Sequence, residues 1–140
     1  MKNLLKSLAL TMLVTVSLVS CSKSDDGPST SGELVGKWEF FQEGASINGQ
    51  ESLAPYEHAT GCSKDFLQFT ATNVTDTSYD GAQCTAFTDT TPYTRAGNTI
   101  TLDGQAVTII QLDGTTLKVR ATYSEGGTTV NFISVLKRAN

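Results

Sequence analysis

The chain has 140 residues, is 39% hydrophobic and 17% charged, and carries a net charge of −4. That length supports one domain with one core. An acidic chain without a basic stripe excludes nucleic acid as a partner, and abundant threonine with Gly-rich turns points to strands.

The first segment reads as an address. Lys2 and Lys6 give a positive start, and Leu8 to Val19 is an apolar run of about 12 residues, short of the roughly 20 that span a bilayer. Its end, Leu18-Val19-Ser20-Cys21, resembles the lipobox of bacterial lipoproteins. That resemblance implies a diacylglyceryl group on the Cys21 sulfur, cleavage before Cys21 and acylation of the new amino group. Residues 1–20 are then a lipoprotein signal peptide, and the membrane is reached through a lipid anchor. Each buried methylene contributes about 0.8 kcal/mol, so two or three acyl chains hold where one is marginal.

Residues 21–32 follow as the lipidated cysteine and a flexible tether, since Ser22 to Gly32 holds no large apolar side chain. Within it, Ser24-Asp25-Asp26 resembles a short acidic export signal of surface lipoproteins in one large group of Gram-negative bacteria. It implies display on the cell surface; the alternative is the periplasmic face of the outer membrane. Without Lys2 and Lys6, eight basic side chains face fourteen acidic ones.

The domain occupies residues 33–140. In Leu34 to Phe40, Leu34, Trp38 and Phe40 share one side and Lys37 and Glu39 the other. A long polar connection from Glu43 to Ser63 follows, in which Ser52 to Thr60 is expected to make one or two helical turns. Further strands are expected over 65–70, 74–79, 82–94, 99–102, 106–112, 117–123 and 129–137. Short Asp-Gly, Gly-Asn and Gly-Gly turns join most of them. Eight short strands suggest an all-β, eight-stranded antiparallel up-and-down barrel, with a two-sheet sandwich as the competing architecture.

Cys62 and Cys84 remain once Cys21 is assigned to lipid. In an exported chain a disulfide is the default, and on the chain-entropy account it stabilises by about 3 kcal/mol. The competing arrangement is a three-ligand zinc site of His58, Cys62 and Cys84. The disulfide takes precedence, so neither a metal nor any other cofactor is expected.

Gly36-Lys37-Trp38 is similar to the Gly-x-Trp motif that opens lipocalins, and Arg138 stands where those proteins place a basic residue over that Trp. Cys62-Ser63-Lys64-Asp65-Phe66-Leu67-Gln68-Phe69, with Cys84 downstream, resembles the bacterial lipocalin-like lipoproteins. So do Asn98 to Leu102 and Asp113 to Leu117. The resemblance covers 34–138 and implies a small barrel with a closed lower end, a mouth above it and Trp38–Arg138 as the closing pair. A middle-strand Trp of that family is replaced by Tyr93.

Catalytic chemistry finds little support. His58 is the sole histidine, and Gly44-Ala45-Ser46-Ile47-Asn48 fails as a nucleophile elbow at its last position. Asp80, Asp103 and Asp113 each precede glycine, so turn formation accounts for them. The expectation is a non-enzymatic, outer-membrane-anchored lipoprotein that binds a small apolar or amphipathic ligand in the barrel mouth. Its expected walls are Phe69, Phe87 and Tyr93, with Tyr56 and His58 as lid. The rival is an adaptor or inhibitor whose barrel is filled by its own side chains and whose loops bind a protein or glycan.

Overall fold

The computed structural model describes residues 28–125 and 127–140. The expected signal peptide, Cys21 and Ser24 to Asp26 lie outside the described residues. Among the described residues nine strands form: β1 (Gly36–Ile47), β2 (Gln50–Pro55), β3 (Phe66–Phe69), β4 (Asn73–Asp80), β5 (Thr85–Ala96), β6 (Thr99–Leu102), β7 (Gln105–Leu112), β8 (Thr116–Glu125) and β9 (Thr128–Arg138). Eight of them close an antiparallel ring. β1 pairs with β3, the strands then follow in chain order to β9, and β9 returns to β1. That closure decides for the barrel over the sandwich.

β2 is a ninth strand, hairpinned onto the upper half of β1 from Gln42↔Pro55 to Ile47↔Gln50. The helical turns expected over 52–60 are absent. Asn48 and Gly49 both take positive φ (53° and 80°), the signature of a type I′ turn, and this reverses the chain directly into a strand. β1 accordingly runs seven residues beyond Phe40, and the irregular connection shrinks to the stretch between Pro55 and Phe66.

Strand alternation and register place Trp38, Leu67, Phe69, Val74, Ile100, Ile109, Leu112, Leu117 and Leu136 on the inner face. Trp38, Leu112, Leu117 and Leu136 are completely buried. The pairing of β7 with β8 shifts between Ile109 and Gln111. The extra residue lets Ile109 and Leu112, three positions apart, both face the core.

The lower end is sealed by a strap, Ser29 to Val35. The Leu112 N–H donates to the Ser29 carbonyl (2.6 Å), and the Gly32 N–H donates to the Leu112 carbonyl (2.9 Å). Part of the expected tether is therefore fixed to the barrel, because the end of β7 supplies backbone partners for it. Arg138, paired with Trp38 across β1 and β9, donates to the carbonyls of Glu33 and Val35 while its guanidinium sits 4.2 Å above the indole. The indole N–H donates to Leu34 O at 2.8 Å. Gly36 has a φ of 136°, and a Cβ there would overlap the Arg138 guanidinium. These contacts give Gly36, Trp38 and Arg138 one shared physical reason: ring, cation and strap fit only when position 36 has no side chain.

The upper parts of β8, β9, β1 and β2 behave differently. Ile133 and Val135 are buried on the face of β9 opposite Leu136. Lys118 on β8 reaches Glu51 on β2 (2.5 Å), although β9 and β1 lie between those strands. A Cβ at Gly44 would overlap the Ser52 carbonyl, so β2 can fold across the outer face only because that residue is glycine. Here the sheet buries its outer face and turns its inner one to solvent.

Candidate functional site

The inner face of the upper half is the candidate site. Register puts Ala45 beside Phe132, Phe132 beside Ala121, and Val130 beside Tyr123, all on the side shared by Leu117 and Leu136. Yet Ile47 is 61% exposed, Phe87 57%, Tyr123 53% and Phe132 52%. Tyr123 and Phe132 meet edge to face at 5.5 Å. They line a cleft of about 530 Å³ with Thr128 and Val130.

A deeper cleft of about 230 Å³ lies against β3, β4, β5 and the end of β6. Leu67, Phe69, Val74 and Leu102 form its apolar walls, and Asp76, Asp89 and Thr91 its polar part. Asp76 and Asp89 are direct partners across β4 and β5, on the face that carries Val74. A shallower cleft of about 200 Å³ shares both carboxylates and adds Ser78 and Phe87. Burial, then the nearby Asp65 and Asp89 carboxylates, raises the pKa of Asp76 above the usual carboxylate range.

One wall is fixed by a local network. Tyr56 stacks on Phe40 (4.7 Å between centroids) and donates its hydroxyl to Asp65 Oδ2 at 2.9 Å. Burial, then Asp65, pushes the Tyr56 phenol above its ordinary range. Asp65 Oδ1 accepts from the Tyr79 N–H (2.9 Å), and the Asp65 N–H donates to His58 Nδ1 (3.0 Å). His58 Nε2 lies 3.0 Å from the Phe40 carbonyl, so the two contacts together specify the neutral Nε2–H tautomer. Cys62 and Cys84 are joined in a disulfide that ties this connection to the β4–β5 turn. The thiols are thereby removed from any zinc site, and among the described residues no group of three or more metal-ligating side chains occurs.

The expected site residues separate into three environments. Phe69 and Phe87 line the two clefts that share the carboxylates. Tyr93 packs edge-on against Phe69 (5.4 Å), with its hydroxyl donating to Thr70 O at 2.7 Å, and burial raises its pKa. Tyr56 and His58 sit in the hydrogen-bonded wall, where both ring nitrogens of His58 are engaged. Sequence reading missed Asp76, Asp89, Leu67, Leu102, Tyr123 and Phe132. The alternation from Leu117 was enough to find Tyr123; the Asp76↔Asp89 pairing needed the register.

A family model described as a lipocalin-like domain matches residues 34–119. No curated protein matches the chain in sequence. Among solved structures, apocrustacyanin C1 has a TM-score of 0.48 at 11% identity, over 75% of this chain and 60% of its own. H1 crustacyanin from the lobster Homarus americanus has 0.47 at 12% identity, over 79% and 63%. A deswapped triple mutant of bovine odorant binding protein has 0.44 at 16% identity, over 74% and 72%. The chain thus spans about 60% of the length of apocrustacyanin C1, and likenesses this weak add nothing to the family match. That match covers more than half of the chain, including the closing Trp38 and most strands of the ring: the protein belongs to the lipocalin-like domain family, in general a non-enzymatic ligand-binding fold.

Proposed function

We propose that this protein is an outer-membrane lipoprotein, anchored through lipid on Cys21 and displayed at the cell surface, that binds a small amphipathic molecule in the barrel mouth. It acts by binding and not by catalysis. The observation that carries the binding reading is the exposure of Ile47, Phe87, Tyr123 and Phe132 on strand faces whose lower continuation is core. Exposed aromatic area of this kind is retained at binding sites more readily than on an ordinary surface.

Asp76 and Asp89 sharpen the ligand class. Like charges directly opposite one another on neighbouring strands destabilise a sheet, and a ligand with a cationic group would relieve that repulsion. Leu67, Phe69 and Leu102 would take its apolar portion. The test is titration with two fluorescent probes sharing one apolar tail, one with an ammonium head and one with a sulfonate. Binding of the ammonium probe is expected to be at least fivefold tighter and to weaken at least fivefold in Phe87→Ala or Asp89→Asn, with the melting temperature of each variant maintained. Failure of both probes to bind would leave the filled-barrel adaptor as the better reading.

Anchoring has its own test. Cys21→Ala should move the protein from the membrane fraction to the soluble or unprocessed fraction. Protease shaving of intact cells should remove the domain, and Asp25→Ala with Asp26→Ala should protect it. A wild-type protein that is soluble, with a free Cys21 thiol by mass spectrometry, would end the anchor reading.

A further inference from the structure

We infer that the closed end of the barrel is held toward the bilayer and the mouth away from it, so that ligand arrives through water. This rests on the lipid anchor proposed above, and it follows from where the chain joins the barrel and from two lengths.

The strap makes its first fixed contact at Ser29, whose carbonyl accepts from the N–H of Leu112, the last residue of β7. Arg95 on β5 holds the Thr30 carbonyl (3.2 Å), and Gly32 returns a hydrogen bond to Leu112. Glu33, Leu34 and Val35 are then held by Arg138 and Trp38. Every one of these contacts lies at the lower end, opposite the Asn48-Gly49 turn that tops β1 and β2. The route to Cys21 therefore leaves from the floor.

Between the Cα atoms of Cys21 and Ser29 the chain advances eight residues; fully extended these span at most about 29 Å, and a flexible coil of that length spans about 16 Å. β1 alone has 12 residues. At about 3.3 Å per residue and a tilt near 40°, it gives the barrel a height of about 30 Å, before the Asn48-Gly49 turn is added. An inverted domain would need the tether to run that full height alongside the barrel. Only a chain stretched to its limit approaches that height, and such stretching is entropically opposed. The exposed Ile47, Tyr123 and Phe132 are consequently kept from dipping into the bilayer, which would otherwise compete for the same apolar surfaces.

The test uses the full processed chain in phosphatidylcholine vesicles containing nitroxide-headgroup lipid. A fluorophore is attached through Thr115→Cys at the floor or through Asn48→Cys at the mouth; both positions are exposed turn residues. The vesicles are floated first, and a protein that stays behind overturns the anchor together with this placement. In floated protein, the floor probe is expected to be quenched at least threefold more than the mouth probe. A 20-residue Gly/Ser insertion after Gly27 should bring that ratio toward one. Equal or stronger quenching of the mouth probe in the unextended chain overturns the placement while leaving the anchor intact.

Discussion

The lower and upper halves of the barrel are built from the same strands with the same alternation, yet they differ in what covers the inner face. Below, Leu117 and Leu136 lose all exposure because the strap, Trp38 and Arg138 close over them. Above, Tyr123 and Phe132 continue those two strand faces and remain half exposed. Alternation assigns a side chain to a face; only closure of an end turns that face into a core. The carboxylates differ in the same way. At the floor, Asp113 accepts from Gln111 Nε2 (2.6 Å) and from the N–H groups of Thr115 and Thr116 (2.8 Å each), which hold its pKa well below the usual range. On the wall, Asp76 faces other carboxylates, and its pKa is raised.

The sharpest way to break this contrast is to delete one aromatic ring at each end. Trp38→Ala should cost about 3–5 kcal/mol by chemical denaturation, as for other buried aromatics, whereas Phe132→Ala should stay within about 1 kcal/mol. Equal costs would mean that the mouth is as much a core as the floor.

Removing the disulfide comes next. Cys62→Ser with Cys84→Ser should lower stability by about 3 kcal/mol on the chain-entropy account, read as a fall in denaturation midpoint. An unchanged midpoint would show that the Tyr56–Asp65–His58 network holds that wall unaided.

Arg138→Ala should cost about 2 kcal/mol, since it loses charge-assisted hydrogen bonds to the strap as well as its stacking on Trp38. Combined with Trp38→Ala, the effects should fall short of additive; strict additivity would mean that strap, ring and cation do not act as one closure.

The smallest effects are in the pH dependence. A depressed carboxylate such as Asp113 stabilises above its ordinary pKa, and that contribution is lost as pH falls through the lowered folded value. Asp113→Asn should therefore destabilise at neutral pH and converge with wild type in strong acid. Asp76 has the opposite sign: its penalty is present above the raised folded pKa and vanishes as pH falls below the ordinary one. Asp76→Asn should raise the melting temperature at pH 7, with the gain shrinking toward acid. A loss at neutral pH would show that Asp76 is not repelled by its neighbours.

Particular residues show where sequence reading reached. Gly36-Lys37-Trp38 and Arg138 were legible as a closing pair because a motif and a terminal cation mark both ends of the ring. The Cys62–Cys84 pair was legible from cysteine arithmetic in a chain expected to be exported. β2 was missed although Asn48-Gly49 is a strong hairpin signal, because Gln50 to Pro55 has no clean apolar alternation to mark a strand. Pairing with β1 supplied the stabilisation that its own composition lacks.

The sequence by itself determined the all-β class, the eight strands that make up the ring and most of the turns between them. These follow from local period and local turn preference, which act over a few residues. Only the tertiary structure decided that Asp76 meets Asp89, that β9 buries Ile133 outside as well as Leu136 inside, and that the strap enters at the floor. Each depends on register and closure between strands distant in the chain, and side-chain alternation, having period two, says which side a residue takes but not what it will find there.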